Sequence, residues 1–218
     1  MKHALLVLWL SVLFCFPGAL TAQTKKPNTN TPAVMSSAYG EKLTIPGIPN
    51  PGKINDVLYR GAQPNEQGLS ELKKLGITTI VDLRAEDRDK VEWERKQAQA
   101  LGLRFVHIPI EGFAAPTNEE VASFLSLFRE NAQQKVFVHC LLGKDRTGVF
   151  VASYRMAMEK WPSQQALQEM YSFGFHGFWH PAMKSFVQDF PARLTAAPAL
   201  AGFLDLKARL PLPATSAN

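Results

Sequence analysis

The sequence predicts an α/β fold in which a central, mostly parallel sheet is flanked by helices. Short apolar, β-branched runs alternate with longer segments of helical spacing, and Gly or Pro separates most of them. The composition agrees, since 46% of the 218 residues are hydrophobic and 20% are charged, as in soluble globular proteins. This balance excludes a wholly disordered chain and a polytopic membrane protein. We expect one folded domain, over residues 54–190.

Four runs rich in apolar and β-branched residues predict the strands of this sheet. The second and fourth runs, ITTIVDL and KVFVH, are typical of strands buried on both faces, because few polar side chains interrupt them. In chain order, the predicted strands span residues 57–60, 77–83, 103–108 and 135–139.

Six longer segments predict helices, and local sequence features mark several of their ends. The first helix ends at Gly76, and the second, which is rich in charged residues, ends at Gly102. Thr117 and Glu120 have the spacing of a capping box at the start of the third, and Ser163 caps the fifth. In chain order, the predicted helices span residues 64–75, 87–101, 117–131, 147–159, 163–171 and 181–190.

Three segments lie outside the predicted domain. Residues 1–22 have the basic start, short apolar core and small-residue exit of a secretory signal peptide, so we expect export to the periplasm or beyond. If this segment is not cleaved, it could anchor the chain to a membrane. Residues 23–53, rich in Thr, Asn and Pro, are expected to form a linker or N-terminal extension without a core of its own. Residues 191–218 are expected to form a tail with at most a short turn at 204–210.

The charge balance limits the kind of ligand. A formal net charge of +5 suits an anionic ligand, including nucleic acid. The sequence has no stripe of Lys and Arg, so nucleic-acid binding is not expected. It also contains no Gly-x4-Gly-Lys-Ser/Thr or Gly-x-Gly-x2-Gly motif, which argues against nucleotide hydrolysis and dinucleotide binding.

One loop contains most of the candidate chemistry. After the predicted strand 135–139, the chain continues through His-Cys-Leu-Leu-Gly-Lys-Asp-Arg-Thr-Gly into a helix. The strand places Cys140 at the carboxyl edge of the sheet, where open α/β sheets bind ligands. The backbone N–H groups that follow can converge at the helix N-terminus, and Gly143 permits the tight turn. Since Arg146 can present its guanidinium to two oxygens, the loop predicts a phosphate cradle with a sulfur at its floor.

The position of Cys140 in this loop bears on the reactivity of its thiol. Cys15 lies in the signal segment, so export leaves Cys140 as the single cysteine of the mature chain. A lone cysteine is most often a buried apolar side chain. At a helix N-terminus near cations, however, the pKa of a thiol falls from about 8.5 to roughly 3.5–7.5. We therefore expect Cys140 to be a thiolate at neutral pH.

The motif His-Cys-x5-Arg-Thr-Gly at residues 139–148 resembles the signature loop of the cysteine-dependent protein tyrosine and dual-specificity phosphatases. Its residues Gly-Lys-Asp-Arg-Thr-Gly are most similar to the loop of a bacterial branch that includes tyrosine and phosphoinositide phosphatases. Residues 58–64 resemble the opening of small dual-specificity domains, and the whole resemblance covers about residues 54–178. It implies a dual-specificity-phosphatase-like fold and a phosphomonoester hydrolase acting on phosphotyrosine or phosphoserine/threonine. The alternatives are a phosphoinositide or inositol-phosphate phosphatase and a catalytically weak phosphate-binding module.

The resemblance also implies a role for individual residues. Cys140 is expected to attack phosphorus and form a phosphocysteine, while Arg146 binds the phosphoryl oxygens and stabilises the transition state. Thr147 is expected to hydrogen-bond the sulfur, and His139 to order the loop. Backbone amides complete the cradle, and they belong to Leu141, Leu142, Gly143, Lys144, Asp145 and Arg146. No metal or other cofactor is expected, and the partner is a phosphorylated protein, small molecule or lipid.

The general acid is the role that the sequence leaves open. In most of the family it is an Asp on a separate loop, but the corresponding segment here, residues 108–116, contains no Asp. Asp145 in the phosphate loop and Glu111 at the place of the missing Asp are the two candidates, and we favour Asp145. The alternative role for Asp145 is structural, fixing the loop by pairing with Arg60 or Arg84.

Other residues near the motif have two interpretations each. Lys144 could contact a second phosphate group or remain a solvated loop lysine. Arg84 could line the rim of the pocket or form a surface salt bridge with Glu86 or Asp87, and Asp82 is expected to be structural. An aromatic cluster could form a wall for a phenyl ring, although packing under a loop is favoured; it comprises Phe173, Phe175, Phe178 and Trp179, with His176 and His180.

Overall fold

The computed structural model describes residues 39–130 and 134–204. Its six-stranded sheet has the order β1-β2-β3-β6-β4-β5, in which β3, β6, β4 and β5 are parallel and β1 and β2 are antiparallel additions at one edge. The strands are β1 (Glu41–Lys42), β2 (Gly52–Lys53), β3 (Leu58–Ala62), β4 (Thr79–Arg84), β5 (Arg104–Ile110) and β6 (Val136–Cys140).

Helices cover both faces of this sheet, which confirms the predicted α/β architecture. They are α1 (Glu66–Lys74), α2 (Arg88–Ala100), α3 (Asn118–Glu130), α4 (Asp145–Met158), α5 (Ser163–Ser172) and α6 (Pro181–Ala196), and a 3₁₀ helix follows at Pro198–Phe203. Alternate strand residues face opposite layers. Ile80 and Phe137 pack in the cluster containing α1 and α2 residues, whereas Val81 and Val138 pack in the cluster containing α3 to α6 residues. Because helices pack on both faces of the sheet, β4 and β6 carry apolar residues at successive positions.

The segment before residue 54 differs from the linker that its composition predicts. Residues 39–53 contain β1 and β2, and Ile48 is buried in the core. The Gly40 N–H also donates a hydrogen bond to Glu169 Oε1 at 2.7 Å. The expected linker is therefore corrected from residue 39 onward, because two-residue strands leave no periodic pattern in a sequence. The rest of the linker and the signal segment lie outside the described residues.

The last helix also continues beyond its predicted end. The sequence predicts that the tail begins at Pro191, yet α6 runs through this residue to Ala196. Proline removes one backbone donor from a helix, and the buried Phe190 and Leu194 on either side offset that loss through packing. The 3₁₀ helix then adds the buried Leu200 and Phe203 to the core. Most of the turn expected at 204–210 lies outside the described residues. No helix in the described ranges combines the length and apolarity that crossing a membrane requires.

Candidate active site

The strand β6 and the helix α4 hold the ends of the phosphate loop. β6 ends at Cys140 and α4 begins at Asp145, so residues 141–144 form the turn between them. Gly143 has a φ of +64°, and a Cβ there would lie 2.3 Å from the carbonyl carbon of Gly61 on the neighbouring strand β3. Both the backbone conformation and the close approach therefore require glycine at this position.

Cys140 lies at the end of the central strand and is 3% exposed. Burial by itself raises the pKa of its thiol, but nearby groups that favour the thiolate outweigh it and lower the pKa below the ordinary value. The most important of them is the hydroxyl of Thr147, followed by the charge of Arg146 and the backbone amides of Thr147 and Gly143. The geometry therefore supports a thiolate at this site, as the loop sequence predicts.

Arg146 is anchored so that one side of its guanidinium remains available. Its Nη1 and Nη2 donate to the two carboxylate oxygens of Glu86, both at 2.7 Å. Nη1 also donates to the Ile110 carbonyl at 3.0 Å. A guanidinium has five N–H donors, and these contacts leave Nε–H and one Nη2 hydrogen without a partner among the described residues. Two such parallel N–H groups have the arrangement that can bind two oxygens of an oxyanion.

Glu86 was considered in the sequence only as a surface partner of Arg84. The structure instead places it at the carboxyl end of β4, where it holds Arg146. The hydrogen bonds from Arg146 lower the pKa of Glu86 to about 2, so this carboxylate is ionised at neutral pH. The only hint in the sequence is that Glu86 closely follows a predicted strand, which brings it to the same sheet edge as Cys140.

His139 belongs to a buried group of charges behind the loop. Its Nε2 lies 2.8 Å from Glu94 Oε1 and 4.0 Å from Asp82 Oδ1, and Nδ1 faces the Cys140 carbonyl at 3.3 Å. Burial lowers the pKa of His139, but the carboxylates of Glu94 and Asp82 outweigh it and raise the pKa. These contacts connect His139, at the base of the loop, to Glu94 on α2.

Arg84 completes this buried group, which corrects both interpretations of it. The side chain is 1% exposed, and its Nη2 lies 2.7 Å from Asp82 Oδ2 and 2.8 Å from Glu94 Oε2. It therefore neither lines a pocket rim nor pairs at the surface. Asp82, Glu94 and His139 offer donor atoms within 4.8 Å of one another. Because Arg84 occupies both carboxylates, we interpret the cluster as an ion-pair network that supports the loop.

Asp145, the favoured general acid, pairs with neither Arg60 nor Arg84. Its Oδ1 accepts the His176 N–H at 3.0 Å, and its Oδ2 lies 3.5 Å from His180 Nε2. The proposed structural pairing is therefore corrected, and the carboxyl group faces the segment between α5 and α6. Glu111, the other candidate acid, has an exposed side chain after β5.

Two side chains, those of Arg60 and Asn50, hold the Gly143 carbonyl, a role that the sequence does not predict for either of them. Arg60 Nη2 donates to Gly143 O at 2.7 Å, and Asn50 Nδ2 donates to the same oxygen at 2.9 Å. Asn50 also donates to the Phe173 carbonyl at 3.0 Å, and the Arg60 guanidinium lies 4.2 Å above the Phe173 ring. Burial lowers the pKa of Arg60 to about 10, so it remains charged. These contacts tie the Gly143 carbonyl to β3 and to the segment before β2.

The remaining predicted residues divide between the core and the surface. Leu141 and Leu142 are exposed at the mouth of the loop, and Lys144 is half-buried at the start of α4. In the aromatic cluster, Phe173 and Phe175 are buried, in agreement with packing under a loop, whereas Phe178 and Trp179 are 85% and 67% exposed. Packing therefore accounts for only part of that cluster.

Comparison with known proteins agrees with this geometry. Residues 50–188 match the family described as "DSP-PTPase phosphatase fused to NAD+ Kinase". The chain is 30% identical over 145 residues to the dual specificity protein phosphatase TpbA of Pseudomonas aeruginosa, an alignment that spans 66% of this chain and 63% of that relative. Thus the chain spans less than two thirds of the length of this curated relative.

Solved structures show the same fold. The crystal structure of P. aeruginosa TpbA superposes with a TM-score of 0.61 at 28% identity, covering 74% of this chain and 98% of that one. A second crystal structure, of a Cys→Ser variant of TpbA in complex with phosphotyrosine, gives a TM-score of 0.60 at 24% identity, covering 81% and 99% of the two chains.

The fold and the loop therefore define a protein of the cysteine-phosphatase class, with a cysteine at the end of a central parallel strand and an arginine in the first turn of the next helix. More particularly, this chain belongs to the DSP-PTPase phosphatase family. The resemblance noted in the sequence is confirmed.

Proposed function

We propose that this protein is a phosphomonoester hydrolase that uses a cysteine nucleophile and acts on phosphotyrosine and phosphoserine/threonine. The observation that supports this most directly is the pairing of Cys140 with Arg146. The environment of Cys140 favours its thiolate, and Arg146 keeps two N–H donors available for oxyanion binding. The similarity to TpbA, described as a dual specificity phosphatase, supports the same activity. The TpbA complex with phosphotyrosine supports an aryl phosphate as one substrate.

In the proposed first step, the thiolate of Cys140 attacks phosphorus and the bond from phosphorus to the leaving oxygen breaks. Arg146 and the loop amides bind the non-bridging oxygens, and these contacts stabilise the charge that spreads over them in the transition state. The protonated carboxyl group of Asp145 gives its proton to the leaving oxygen. The products of this step are the free alcohol or phenol and a phosphocysteine.

In the second step, water attacks phosphorus and the carboxylate of Asp145 accepts its proton. The sulfur leaves as a thiolate, which the hydroxyl of Thr147 stabilises, as it does in the resting site. Inorganic phosphate is released and the starting state is restored. In these two steps the protein contributes only side chains and backbone amides.

The assignment of the acid is tested by the dependence of the rate on the leaving group. Asp145→Asn is expected to lower kcat/KM by about 100-fold for phenyl phosphate, whose leaving group needs a proton. For an aryl phosphate with a strongly acidic phenol, the loss is expected to be less than about threefold. Glu111→Gln serves as the matched variant and is expected to leave both rates nearly unchanged. If Glu111→Gln shows the leaving-group effect instead, Glu111 is the acid.

The activity itself is tested by a panel of phosphopeptides, phosphoinositides and inositol phosphates on the chain from residue 23 onward. Cys140→Ser is expected to abolish turnover and to retain binding of vanadate, measured as a rise in Tm. Turnover by this variant would exclude the thiol mechanism. Vanadate binding without turnover in the unaltered protein would instead support a catalytically weak phosphate-binding module.

A phosphoinositide or inositol-phosphate substrate is a second candidate because of Lys144. This half-buried lysine adds a positive charge within the phosphate loop and could contact a second phosphate group. The panel distinguishes the two candidates through Lys144→Gln. A selective loss of activity on substrates with several phosphates would favour the second candidate, whereas an equal loss on all substrates would favour the first.

We also propose that the protein is exported, on the basis of the sequence of residues 1–22. Its substrate would then be a phosphorylated protein, small molecule or lipid accessible outside the cytoplasm. Fractionation of cells that express the full chain tests this, and recovery of the unprocessed chain in the cytoplasm would contradict it.

A further inference from the structure

We propose that His180 is a positioning residue that orients the carboxyl group of Asp145 for proton transfer. This role rests on the proposed function, in which Asp145 is the general acid. Residues 176–180 contact both carboxylate oxygens: the His176 N–H donates to Oδ1 at 3.0 Å, and His180 Nε2 lies 3.5 Å from Oδ2. The side chains of Asp145 and His180 are only 15% and 12% exposed. The carboxyl group is therefore held from one side by one short segment.

The imidazole of His180 is itself held by aromatic rings. Phe113 stacks on it with ring centroids 5.0 Å apart and an interplanar angle of 18°, and Phe175 lies 6.4 Å away at 31°. Phe113 belongs to the segment after β5. This is the segment in which most of the family has the Asp that acts as general acid. His180 thus connects that segment to the phosphate loop. A shift of His180 would move the carboxyl group of Asp145 relative to the leaving oxygen.

Packing alone does not account for a histidine at this position. The Nδ1 atom of His180 is buried and has no hydrogen-bond partner among the described residues. Burial of an unpartnered polar atom costs free energy, so an apolar ring would satisfy the stacking with Phe113 better. The contact that distinguishes histidine from such a ring is the one between Nε2 and Asp145. This contact is to a carboxyl group of the phosphate loop, next to Arg146.

Chemistry at Asp145 depends on the direction in which its carboxyl group points. Proton transfer requires the donor oxygen to lie within hydrogen-bond reach of the leaving oxygen. A misplacement of about 1 Å can reduce a rate by about 100-fold. The His176 N–H on Oδ1 and His180 Nε2 close to Oδ2 together limit the rotation of the carboxyl group, so that it can release a proton in the first step and accept one in the second.

Two variants of His180 separate this role from packing. His180→Phe keeps an aromatic ring beside Phe113 and removes the nitrogen, whereas His180→Gln keeps a nitrogen donor and removes the ring. With phenyl phosphate, His180→Phe is expected to lower kcat/KM between about 10- and 100-fold. With an aryl phosphate that has a strongly acidic phenol, we expect less than about a threefold change, and His180→Gln should recover part of the loss. The rise in Tm with vanadate checks that the phosphate loop remains folded in both variants.

A double-mutant cycle completes the test. In the background of Asp145→Asn, His180→Phe is expected to cause no further leaving-group effect, because the group that it orients no longer transfers a proton. An equal loss for all aryl phosphates, or a full additional loss in the Asp145→Asn background, would overturn the role of His180. These outcomes differ from failure of the proposed function, in which the unaltered protein does not hydrolyse aryl phosphates or Cys140→Ser retains activity.

Discussion

Glu86 and Arg146 form a two-point contact at the edge of the phosphate loop, with each carboxylate oxygen 2.7 Å from one terminal guanidinium nitrogen. The two residues are 60 positions apart and meet because β4 and β6 are neighbours in the sheet. The contact occupies one hydrogen each of Nη1 and Nη2, and it leaves Nε–H and the second Nη2 hydrogen for an oxyanion. Glu86 therefore determines the direction in which Arg146 offers its donors.

Replacement of Glu86 by Gln is expected to weaken oxyanion binding. The amide accepts only one of the two hydrogen bonds, so Arg146 loses its fixed orientation. We expect kcat/KM for p-nitrophenyl phosphate to fall by about tenfold, with a similar loss of vanadate affinity, because an error in position costs rate. Glu92→Gln removes the same charge from an exposed pair with Arg95 and is the control. Equal activity of both variants would contradict the role of Glu86.

The lowered pKa of the Cys140 thiol predicts a specific effect of Thr147. Thr147→Val keeps the shape and removes the hydroxyl that favours the thiolate, so the pKa of Cys140 is expected to rise. The pH dependence of inactivation by iodoacetamide measures this change. The second chemical step should also slow by roughly tenfold, because the leaving sulfur loses a charge-assisted hydrogen bond. Ser153→Ala removes a buried hydroxyl elsewhere on α4 and should leave the thiol titration unchanged.

Arg60 is expected to affect catalysis more than stability. Arg60→Met removes the bond to Gly143 O, but Asn50 still donates to that oxygen, so the carbonyl keeps a partner. Nε and Nη1 of Arg60 are buried without a hydrogen-bond partner among the described residues, so an apolar side chain at this position also removes a desolvation cost. We expect a fall in kcat/KM of about tenfold with a Tm within roughly 5 °C of the unaltered protein. A Tm loss well beyond that, with unchanged activity, would show that Arg60 supports the fold alone. The control is Arg95→Met, which removes a partly exposed cation of α2 over the Phe105 ring of β5.

His139 and Glu94 predict a pH dependence of stability. The folded pKa of His139 is raised above its unfolded value of about 6.5, so the ion pair contributes fully below that pH. The contribution is lost as the pH rises through the folded pKa. Glu94→Gln is expected to lower the free energy of unfolding by roughly 3–5 kcal/mol at low pH and to weaken this dependence.

Denaturant unfolding at several pH values measures both effects of Glu94→Gln. The matched variant is Glu169→Gln, which breaks the buried pair with Arg155 at 2.6 Å on the other side of the molecule's core. We expect it to lower stability without changing the part of the pH dependence that comes from His139. An unchanged pH dependence in Glu94→Gln would show that His139 is not charged through Glu94.

The strand, loop and helix that present Cys140 and Arg146 could be predicted because their pattern is local. The apolar run of β6, the glycine of the turn and the start of α4 lie within a few residues of one another. The same holds for the other long elements, whose periodicity spans whole strands and helices. The two-residue strands β1 and β2 lack such a pattern, and the helix through Pro191 depends on packing that a local rule does not include.

The sequence by itself determined the class of chemistry, since the spacing from Cys140 to Arg146 is a property of one continuous loop. Only the tertiary structure decided which groups hold that loop. Glu86, Arg60 and Asn50 lie 60 to 93 positions from the atoms they bind. Arg60 and Glu86 meet the loop because β6 lies between β3 and β4, and Asn50 reaches it from the segment before β2, which pairs with β3. A pairing that depends on the order of strands in space leaves no fixed spacing in the chain.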